Sequence, residues 1–278
     1  MRLLTWNVRY CAHALRGLGS TRRGLERIAA ALASSGADVI ALQEVEDRSL
    51  RGGLRRSQSA RLLDALHGAG PLRWRAWRAP AHHYSVAGIP LMSPGLLWLA
   101  REELSVSEPV VEEVTHVRLP AAEALKQGRV ASLLRVHTAE GPLDLVNTHL
   151  SLPAFLEVGP HRLPERMGDG SNQLAEMNNL LSFVERTGGP HVVIAGDLNS
   201  RPGSPAHARL LAAGFDDPWL GHDTPTAGFG RRRMHIDHIV GRGVVWADPT
   251  LHTVDVAGAF TGLSDHVPKA VTVVARGE

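Results

Sequence analysis

The amino-acid sequence predicts an α/β protein that forms one domain. Short apolar runs rich in Val, Ile and Leu recur along the 278 residues, and each run ends at polar side chains. Such runs are typical of strands that are buried on most of their faces. Segments with helical periodicity lie between several of them, and no repeat of about 20–50 residues is present. We therefore expect a single domain over residues 1–278.

Six strands are predicted from the apolar runs. The runs span residues 3–8, 38–45, 143–150, 191–199, 236–240 and 267–274. Between residues 80 and 130 the strand signals are weak.

Four helical segments are predicted from apolar side chains at helical spacing. Leu25, Ile28 and Leu32 share one face of the first helix, and Gly36 is suited to end it. A second short helix is centred on residues 62–66, a third runs from about residue 171 to residue 187, and a fourth lies within residues 203–213.

The composition sets limits on the class of protein. The net charge of +2 permits an anionic substrate without requiring one. Cys11 is the single cysteine, so no disulfide can form within the chain. No run of about 18 apolar residues predicts a membrane span, and the N-terminal segment reaches polar Asn7 too early for a signal peptide. We therefore expect a cytoplasmic protein and leave its oligomeric state open.

Polar side chains lie at the ends of the predicted strands. A carboxylate or imidazole at a buried strand is costly unless it is paired or binds a metal. Because a sheet brings neighbouring strand ends together, we expect these side chains to share one pocket at a sheet edge. The residues are Asn7, Glu44, His149, Asp197, Asn199, Asp237, Asp265 and His266.

The residue types in this group predict phosphate ester chemistry. Carboxylate and amide oxygens are hard ligands that suit Mg²⁺ or Mn²⁺. Histidines exchange protons near neutral pH. Cleavage of a phosphate ester needs a cation to neutralise oxyanion charge, a base for water and an acid for the leaving oxygen. The expected partner is therefore a phosphate ester, with nucleic acid among the candidate substrates.

Six short motifs resemble those of the endonuclease/exonuclease/phosphatase superfamily, and they occur in the family's order. Each motif alone is a weak pattern, whereas the ordered set spans residues 5–268 and is specific. The THL sequence at 148–150 is similar to the deoxyribonuclease and sphingomyelinase branches. The motifs are TWNV at 5–8, LQEV at 42–45, NTHL at 147–150, GDLNS at 196–200, IDHI at 236–239 and SDHVP at 264–268.

The resemblance implies a four-layer α/β sandwich, in which two packed mixed β-sheets are flanked by helices. It also implies that Glu44 is the principal metal ligand, with Asn7 beside it and Asp265 supporting a metal or its water shell. The activity implied is metal-dependent hydrolysis of a phosphoester.

The same resemblance implies roles for the catalytic residues. Asp197 would orient or deprotonate the attacking water, and Asn199 would hold the phosphate or the water. His266 would face the scissile phosphate with Asp237 as its carboxylate partner, and His149 would act on the leaving side.

Several sequence features leave substrate questions open. Arg9 stands where abasic-site endonucleases carry an acidic residue, which disfavours that activity. The segment 152–170 follows His149, and we expect its Arg162 and Arg166 to contact substrate, together with Arg233. The segment 51–78 combines seven arginines with Trp74 and Trp77, which predicts either nucleic-acid contact or an ordinary solvated face.

Two other classes of function are weighed against hydrolysis. His235, Asp237 and His238 superficially suggest zinc, but no second histidine cluster with ligand spacing accompanies them. A phosphate-binding scaffold without turnover is disfavoured because Glu44 and His266 are both present. Within hydrolysis, the substrate classes are DNA or RNA, phospholipid head groups, inositol phosphates and small phosphate esters, which a fold does not distinguish.

Overall fold

Two large β-sheets face each other in the computed structural model. The structure describes residues 1–11, 21–48, 57–82, 84–86, 89–116, 128–151, 171–222, 225–229, 232–247 and 262–276. Arg162 and Arg166 lie outside the described residues.

The described residues form fifteen strands and four α-helices. In chain order the strands are β1 (Arg2–Asn7), β2 (Val39–Arg48), β3 (Trp74–Pro80), β4 (Tyr84–Val86), β5 (Ile89–Arg101), β6 (Ser105–Val106), β7 (Val110–Glu113), β8 (Val130–Thr138), β9 (Gly141–His149), β10 (Val192–Asp197), β11 (Ala227–Phe229), β12 (Arg232–Met234), β13 (Asp237–Arg242), β14 (Val244–Trp246) and β15 (Lys269–Ala275). The helices are α1 (Arg22–Ser34), α2 (Gln58–Ala69), α3 (Ser171–Thr187) and α4 (Pro205–Ala212).

The strand order defines two mixed sheets and one short hairpin. The first sheet has the order β14-β15-β1-β2-β5-β3, with β4 added beside β5. The second has the order β13-β10-β9-β8-β6, with β7 added beside β8. Strands β11 and β12 pair with each other. The pairs β1–β2 and β9–β10 are parallel, so their carboxyl ends point to the same edge of each sheet.

Three apolar cores divide the molecule into four layers. Helices α1 and α2 pack on the outer face of the first sheet, and α3 and α4 pack on the outer face of the second. The third core lies between the sheets, where Leu3, Val39 and Trp98 face Leu134 and Val193. The predicted four-layer α/β sandwich is therefore confirmed.

All six predicted strands and all four predicted helices are present, with ends that differ by a few residues. The weakly predicted segment contains the thirteen-residue strand β5, which Pro94 and Gly95 obscure in the sequence. Gly95 has a structural reason, since a Cβ there would lie 2.3 Å from the Ala79 carbonyl oxygen of β3. Helices α1, α2 and α4 begin at the N-caps Thr21, Ser57 and Ser204.

A buried amide pair bridges the two sheets below the edge where the parallel strands end. Gln43 Nε2 donates to Asn147 Oδ1 at 2.8 Å and to Thr5 Oγ1 at 3.0 Å. Asn147 Nδ2 donates in turn to the Leu42 carbonyl at 3.1 Å, and both amides are fully buried. These bonds fix β1 and β2 against β9, because a buried amide without partners is costly.

Replacing Asn147 by Ala should destabilise the sandwich. The change removes one of the acceptors of Gln43 and the donor to Leu42, so we expect the free energy of unfolding to fall by about 1–3 kcal/mol. Urea unfolding measures this difference. The control is Asn178→Ala on the exposed face of α3, which should change stability by less than about 0.5 kcal/mol. Equal effects at both positions would contradict a bridging role for Asn147.

Candidate active site

The strand register brings the predicted polar residues to one edge of the sandwich. In the second sheet, Asp197 at the end of β10 is the register partner of His149 on β9 and of Asp237 on β13. In the first sheet, Asn7 at the end of β1 pairs with Gln43, one residue before Glu44. Since β1 packs against β10 and β2 against β9, the two sets of strand ends face each other.

A β-bulge aims Glu44 into this site. The register between β2 and β5 shifts between Leu42 and Val45, so Gln43 and Glu44 together oppose one residue of β5. Glu44 has a left-handed φ of 55°, which a non-glycine residue adopts only at some cost. The bulge lets Gln43 face the other sheet and Val45 face the helices, while the Glu44 carboxylate reaches the shared edge.

The Asn7 amide spans two carboxylates from different sheets. Its Nδ2 donates to Glu44 Oε1 at 3.1 Å and to Asp197 Oδ2 at 3.0 Å. Its Oδ1 accepts from the backbone N–H of Arg9 at 3.0 Å, which fixes the orientation of the amide. That N–H belongs to a strained turn, in which residues 9–11 all have φ between 43° and 56°. Backbone strain thus helps to hold the amide between the carboxylates.

Asp197 ends β10 directly after Gly196, where the two strands β9 and β10 approach closely. A Cβ at Gly196 would lie 1.9 Å from the Thr148 carbonyl oxygen of the neighbouring strand. The backbone N–H of Asn199 donates to Asp197 Oδ1 at 2.9 Å, and Asn199 Nδ2 donates to the Leu150 carbonyl at 2.8 Å. Asn199 therefore ties the end of β10 to the end of β9, and its predicted contact with phosphate or water stays a prediction.

His266 and Asp237 form a fixed pair. His266 Nδ1 lies 2.9 Å from Asp237 Oδ2, and its Nε2 lies 3.8 Å from Asp197 Oδ2. Two motif residues hold the histidine backbone: Trp6 Nε1 donates to the His266 carbonyl at 2.9 Å, and Ser264 Oγ accepts from the His266 N–H at 3.2 Å. The imidazole thus has one nitrogen on a carboxylate and the other directed toward the centre of the site.

The protonation states of His266 and Asp197 are set by their neighbours. Burial lowers the pKa of His266, but the carboxylates of Asp237 and Asp197 outweigh it and raise that pKa to about 10. Burial, together with the charge of Asp237, raises the pKa of Asp197 to about 7. In the metal-free protein His266 is therefore an imidazolium at neutral pH, and Asp197 is a carboxylate poised to exchange a proton.

His149 completes the centre as a neutral imidazole. Its Nε2 lies 3.5 Å from Asp197 Oδ2 and 4.0 Å from Glu44 Oε1. Burial, reinforced by the positive charges of Arg129 and His266, lowers the pKa of His149 well below its usual value. These short separations are therefore not ion pairs at neutral pH, and His149 is available to donate or accept a hydrogen bond.

The donor set on the Glu44 side fits a hard divalent cation. Burial, with an added contribution from the negative charge of Asp265, raises the pKa of Glu44. A bound cation would relieve both effects, and carboxylate and amide oxygens are the ligands that Mg²⁺ and Mn²⁺ prefer. Asp265 also pairs with Arg9 at 3.7 Å. The metal roles of Glu44, Asn7 and Asp265 stay predictions, because their geometry suits a cation without identifying it.

A second set of potential ligand atoms includes the His266–Asp237 pair. Nitrogen and oxygen atoms of Asp197, Asp237 and His266 lie within 4.8 Å of one another. His266 Nδ1 is bonded to Asp237, and the position of the cation on the Glu44 side stays a prediction.

Sequence comparison agrees with the geometry. A model of the Endonuclease/Exonuclease/phosphatase family matches residues 4–266. The chain belongs to this family. Its members are hydrolases that act on phosphoester bonds and generally depend on a divalent metal. No curated protein sequence matches the chain significantly.

Solved structures of the endonuclease/exonuclease/phosphatase family share the fold. An endonuclease/exonuclease/phosphatase from Beutenbergia cavernae is 20% identical, with a TM-score of 0.71 over 99% of this chain and 72% of its own. A family protein from Leptotrichia buccalis is 16% identical, with a TM-score of 0.69 over 99% of both chains. A mannosyl-6-phosphatase from Bacteroides thetaiotaomicron is 13% identical, with a TM-score of 0.60 over 99% of both chains. At these identities the likeness establishes the fold alone.

Arg129 is a site residue that the motifs do not reveal. Its side chain is 8% exposed and helps to line a recess that also includes Glu44 and His149. Its positive charge affects the pKa values of both neighbours. In the sequence it is one of many arginines, so only its position directly before β8 could have drawn attention to it.

The sequence analysis also missed residues within or beside the motifs that hold the site in place through hydrogen bonds. Trp6 and Ser264 fix His266, while Gln43 and Asn147 join the sheets. Thr226 Oγ1 accepts from the backbone N–H of Asp237 at 3.0 Å and so fixes the start of β13.

The predicted arginine contacts have different outcomes. Arg233 is exposed on β12, and its role in binding stays a prediction. The proposed stacking surface at 51–78 is wrong for Trp74, which is 4% exposed and packed in the core with α1 and α2. Arg78 pairs with Asp47 at 3.0 Å, and Arg75 stacks on Trp77 with its guanidinium 5.3 Å from the ring centroid. These side chains make contacts within the protein, and only the tertiary structure shows these contacts.

A buried polar cluster adjoins the candidate active site. His207 Nε2 lies 2.8 Å from Asp217 Oδ2, and His238 Nδ1 lies 3.5 Å from the same oxygen. The Gly203 N–H donates to His207 Nδ1 at 3.3 Å, so His207 carries its proton on Nε2 and donates it to Asp217. A metal ion would need the lone pair of that nitrogen. In this arrangement the cluster is a hydrogen-bonded structural unit.

Lys269 supplies this cluster with a buried cation. Its ammonium contacts His235 Nε2 and lies 4.3 Å from the ring centroid of Trp219. Burial lowers the pKa of Lys269 to about 7, although the charges of Asp217 and Asp237 oppose that shift. The lysine is fully buried, so its charge is balanced within the protein rather than by solvent.

No helix among the described ranges is long and apolar enough to span a membrane.

Replacing Asp217 by Asn should reduce stability in a pH-dependent way. Burial alone would raise the pKa of Asp217, but His207 and His238 hold it well below its usual value. The carboxylate therefore stabilises the fold above about pH 4 and loses this effect as the pH falls toward its folded-state pKa. At pH 7 we expect a loss of about 2 kcal/mol, because His207 Nε2 and the Trp219 N–H lose a charged acceptor.

Urea unfolding of this variant between pH 7 and pH 3 tests the prediction. The gap from the wild type should narrow below about pH 4. Asp216→Asn, at the exposed neighbouring position, should leave stability within about 0.5 kcal/mol of the wild type. A gap that does not change with pH would show that the charge of Asp217 is not the cause.

Proposed function

We propose that this protein is a divalent-metal-dependent phosphoesterase, specifically a phosphodiesterase that hydrolyses P–O bonds by attack of water. The observation that carries the proposal is the convergence of Glu44, Asp197 and His266 at one edge of the sandwich. Asn7 bonds to both carboxylates at 3.1 and 3.0 Å, and His266 Nε2 lies 3.8 Å from Asp197.

In this proposal Asp197 is the group that handles the attacking water. Its Oδ1 is held by the Asn199 N–H, and its Oδ2 faces Asn7, His149 and His266. A pKa of about 7 lets the carboxylate accept a proton from water near neutral pH. Water adds to phosphorus, the bond from phosphorus to the leaving oxygen breaks, and Asp197 takes the proton of the water.

The two histidines have different charges and therefore different tasks. His266 is protonated and fixed by Asp237, so it is suited to donate a hydrogen bond to a phosphoryl oxygen as negative charge develops there. His149 is neutral and lies on the opposite side of Asp197 from Asp237 in the strand order, which suits contact with the leaving oxygen. Glu44, Asn7 and Asp265 would hold Mg²⁺ or Mn²⁺, which when bound neutralises phosphoryl charge.

Several substrate classes are compatible with this reaction. DNA or RNA, phospholipid head groups and inositol phosphates are alternatives within the same chemistry, and the shared fold does not select among them. An inactive phosphate-binding scaffold is disfavoured because both Glu44 and His266 are retained in hydrogen-bonding or charge contact with the centre. We further propose that residues 1–278 act as one catalytic domain.

Removing the proposed catalytic groups should abolish most activity. We expect Asp197→Asn and His266→Ala each to lower kcat/KM by about 100-fold or more, as expected for a principal acid–base or orienting group. The assay uses bis-p-nitrophenyl phosphate, plasmid DNA, RNA, sphingomyelin and inositol phosphates with Mg²⁺ or Mn²⁺, each with and without EDTA.

The matched control for this panel is His222→Ala, since His222 is exposed and lies outside the proposed site. It should retain wild-type kinetics. Activity that survives EDTA, or wild-type rates in Asp197→Asn, would refute the proposed reaction.

Metal affinity should rise with pH up to about 7 and then level off. The pKa values of Glu44 and Asp197 are raised by burial, so protons compete with a cation at lower pH. Calorimetric titration with Mn²⁺ at pH 6.5, in buffers of different ionisation enthalpy, should detect proton release. Glu44→Gln should bind Mn²⁺ at least about tenfold more weakly. An affinity for Mn²⁺ that does not change with pH would show that the ionisation of Glu44 and Asp197 does not control metal binding.

A further inference from the structure

Arg129 is a buried arginine whose guanidinium has few direct contacts with the described residues, although its charge acts on the nearby Glu44. Its side chain is 8% exposed, and its Nε donates to Ser151 Oγ at 3.3 Å. Among the described residues, no other hydrogen bond or ion pair of its guanidinium is formed. A buried guanidinium is costly without an anionic partner, and its planar fork matches the oxygens of a phosphate.

A buried chain of hydrogen bonds fixes this arginine in place. Ser151 Oγ donates to Glu176 Oε1 at 2.7 Å, and the Ser151 N–H donates to Glu176 Oε2 at 2.8 Å. Gln173 Nε2 donates to the Ser151 carbonyl at 2.6 Å. The serine is therefore held rigidly by α3 and presents its oxygen to Arg129 Nε. Such support pre-organises the terminal nitrogens for a ligand.

The strand order sets Arg129 apart from the reacting centre. Asp197 ends β10, His149 ends β9 and Arg129 directly precedes β8, and these are consecutive strands of one sheet. Neighbouring strands lie about 4.8 Å apart, so the backbone of β8 lies roughly 10 Å from that of β10. The backbone that carries Arg129 is therefore two strands away from the backbone that carries Asp197.

The recess beside Arg129 also includes Glu44 and His149. It is shallow and open to solvent, and its apolar walls come from β5, the start of β8 and the residue after β3. Its polar side chains are Glu44, Arg129 and His149. Asp197, Asp237 and His266 are not part of its described lining, so the recess adjoins the centre rather than containing it.

We propose that Arg129 and this recess form a second anion subsite, which binds a phosphate adjacent to the one that is hydrolysed. The proposal rests on the proposed phosphoesterase function and narrows its substrate class to compounds with two phosphates. The second phosphate can belong to an oligonucleotide backbone or to a bisphosphorylated small molecule, and the recognition chemistry is the same.

The first experiment measures binding without turnover. Pyrophosphate is titrated into the EDTA-treated full-length protein by calorimetry. Arg129→Met should weaken binding at least about tenfold and Arg129→Lys about threefold, because lysine keeps the charge but lacks the fork. Arg186→Met removes an exposed arginine that pairs with Glu112 and should bind as the wild type does. Unchanged binding in a folded Arg129→Met protein, verified by circular dichroism, would overturn the proposal.

The second experiment compares substrates that differ only in the second phosphate. A dinucleoside monophosphate is compared with the same compound carrying a 5′- or 3′-phosphate, and a hexose monophosphate with the hexose bisphosphate. With Mn²⁺, the wild type should prefer the second phosphate by about tenfold or more in kcat/KM for at least one pair, which identifies its source. Arg129→Met should lose this preference, so that its kcat/KM values for the two compounds of the pair agree within about threefold.

The outcomes separate this inference from the proposed function. A preference that persists in Arg129→Met, or no preference in the wild type, would overturn the second subsite. An equal loss on both substrates would also overturn it, because Arg129 would then act on the scissile phosphate. If no phosphate ester is hydrolysed at all, the phosphoesterase proposal fails, and the pyrophosphate titration still decides whether Arg129 binds an anion.

Discussion

The central constraint in this structure is one amide group placed between two carboxylates. Asn7 Nδ2 bonds to Glu44 from its own sheet and to Asp197 from the opposite sheet. Both carboxylates lie in surroundings that raise their pKa values, so bringing them together costs free energy. Neighbouring positive charges on His266 and Arg129 reduce that cost, and a divalent cation would reduce it further. The proposed chemistry follows from this concentration of buried charge.

The sandwich supplies the rigidity that such an arrangement requires. The Gln43–Asn147 pair joins the sheets just below the site, while Trp6 and Ser264 fix the backbone of His266. Each of these supports lies within a motif that also carries a proposed chemical group. Each motif therefore combines a proposed reactive side chain with a residue that supports the site through a hydrogen bond. Another polar residue at the supporting position would not make the same bond.

Local sequence proximity is a poor guide to shared function here. Asp237 and His238 are neighbours in the chain, but alternate residues of a strand point to opposite faces. Asp237 therefore faces His266 in the proposed site, whereas His238 bonds to the Ser200 carbonyl within the buried cluster. A histidine-rich segment that suggests zinc is thus divided between two environments.

The sequence by itself determined six of the strands, the four helices and the group of polar residues at the strand ends. It could do so because apolar periodicity and strand termini are local properties. Tertiary structure decided which polar groups became partners: the bulge that aims Glu44, the internal packing of Trp74 and the burial of Arg129 beside His149. These features depend on register and on the contact between sheets, where residues distant in the chain meet, and an arginine in an arginine-rich chain carries no local mark of that position.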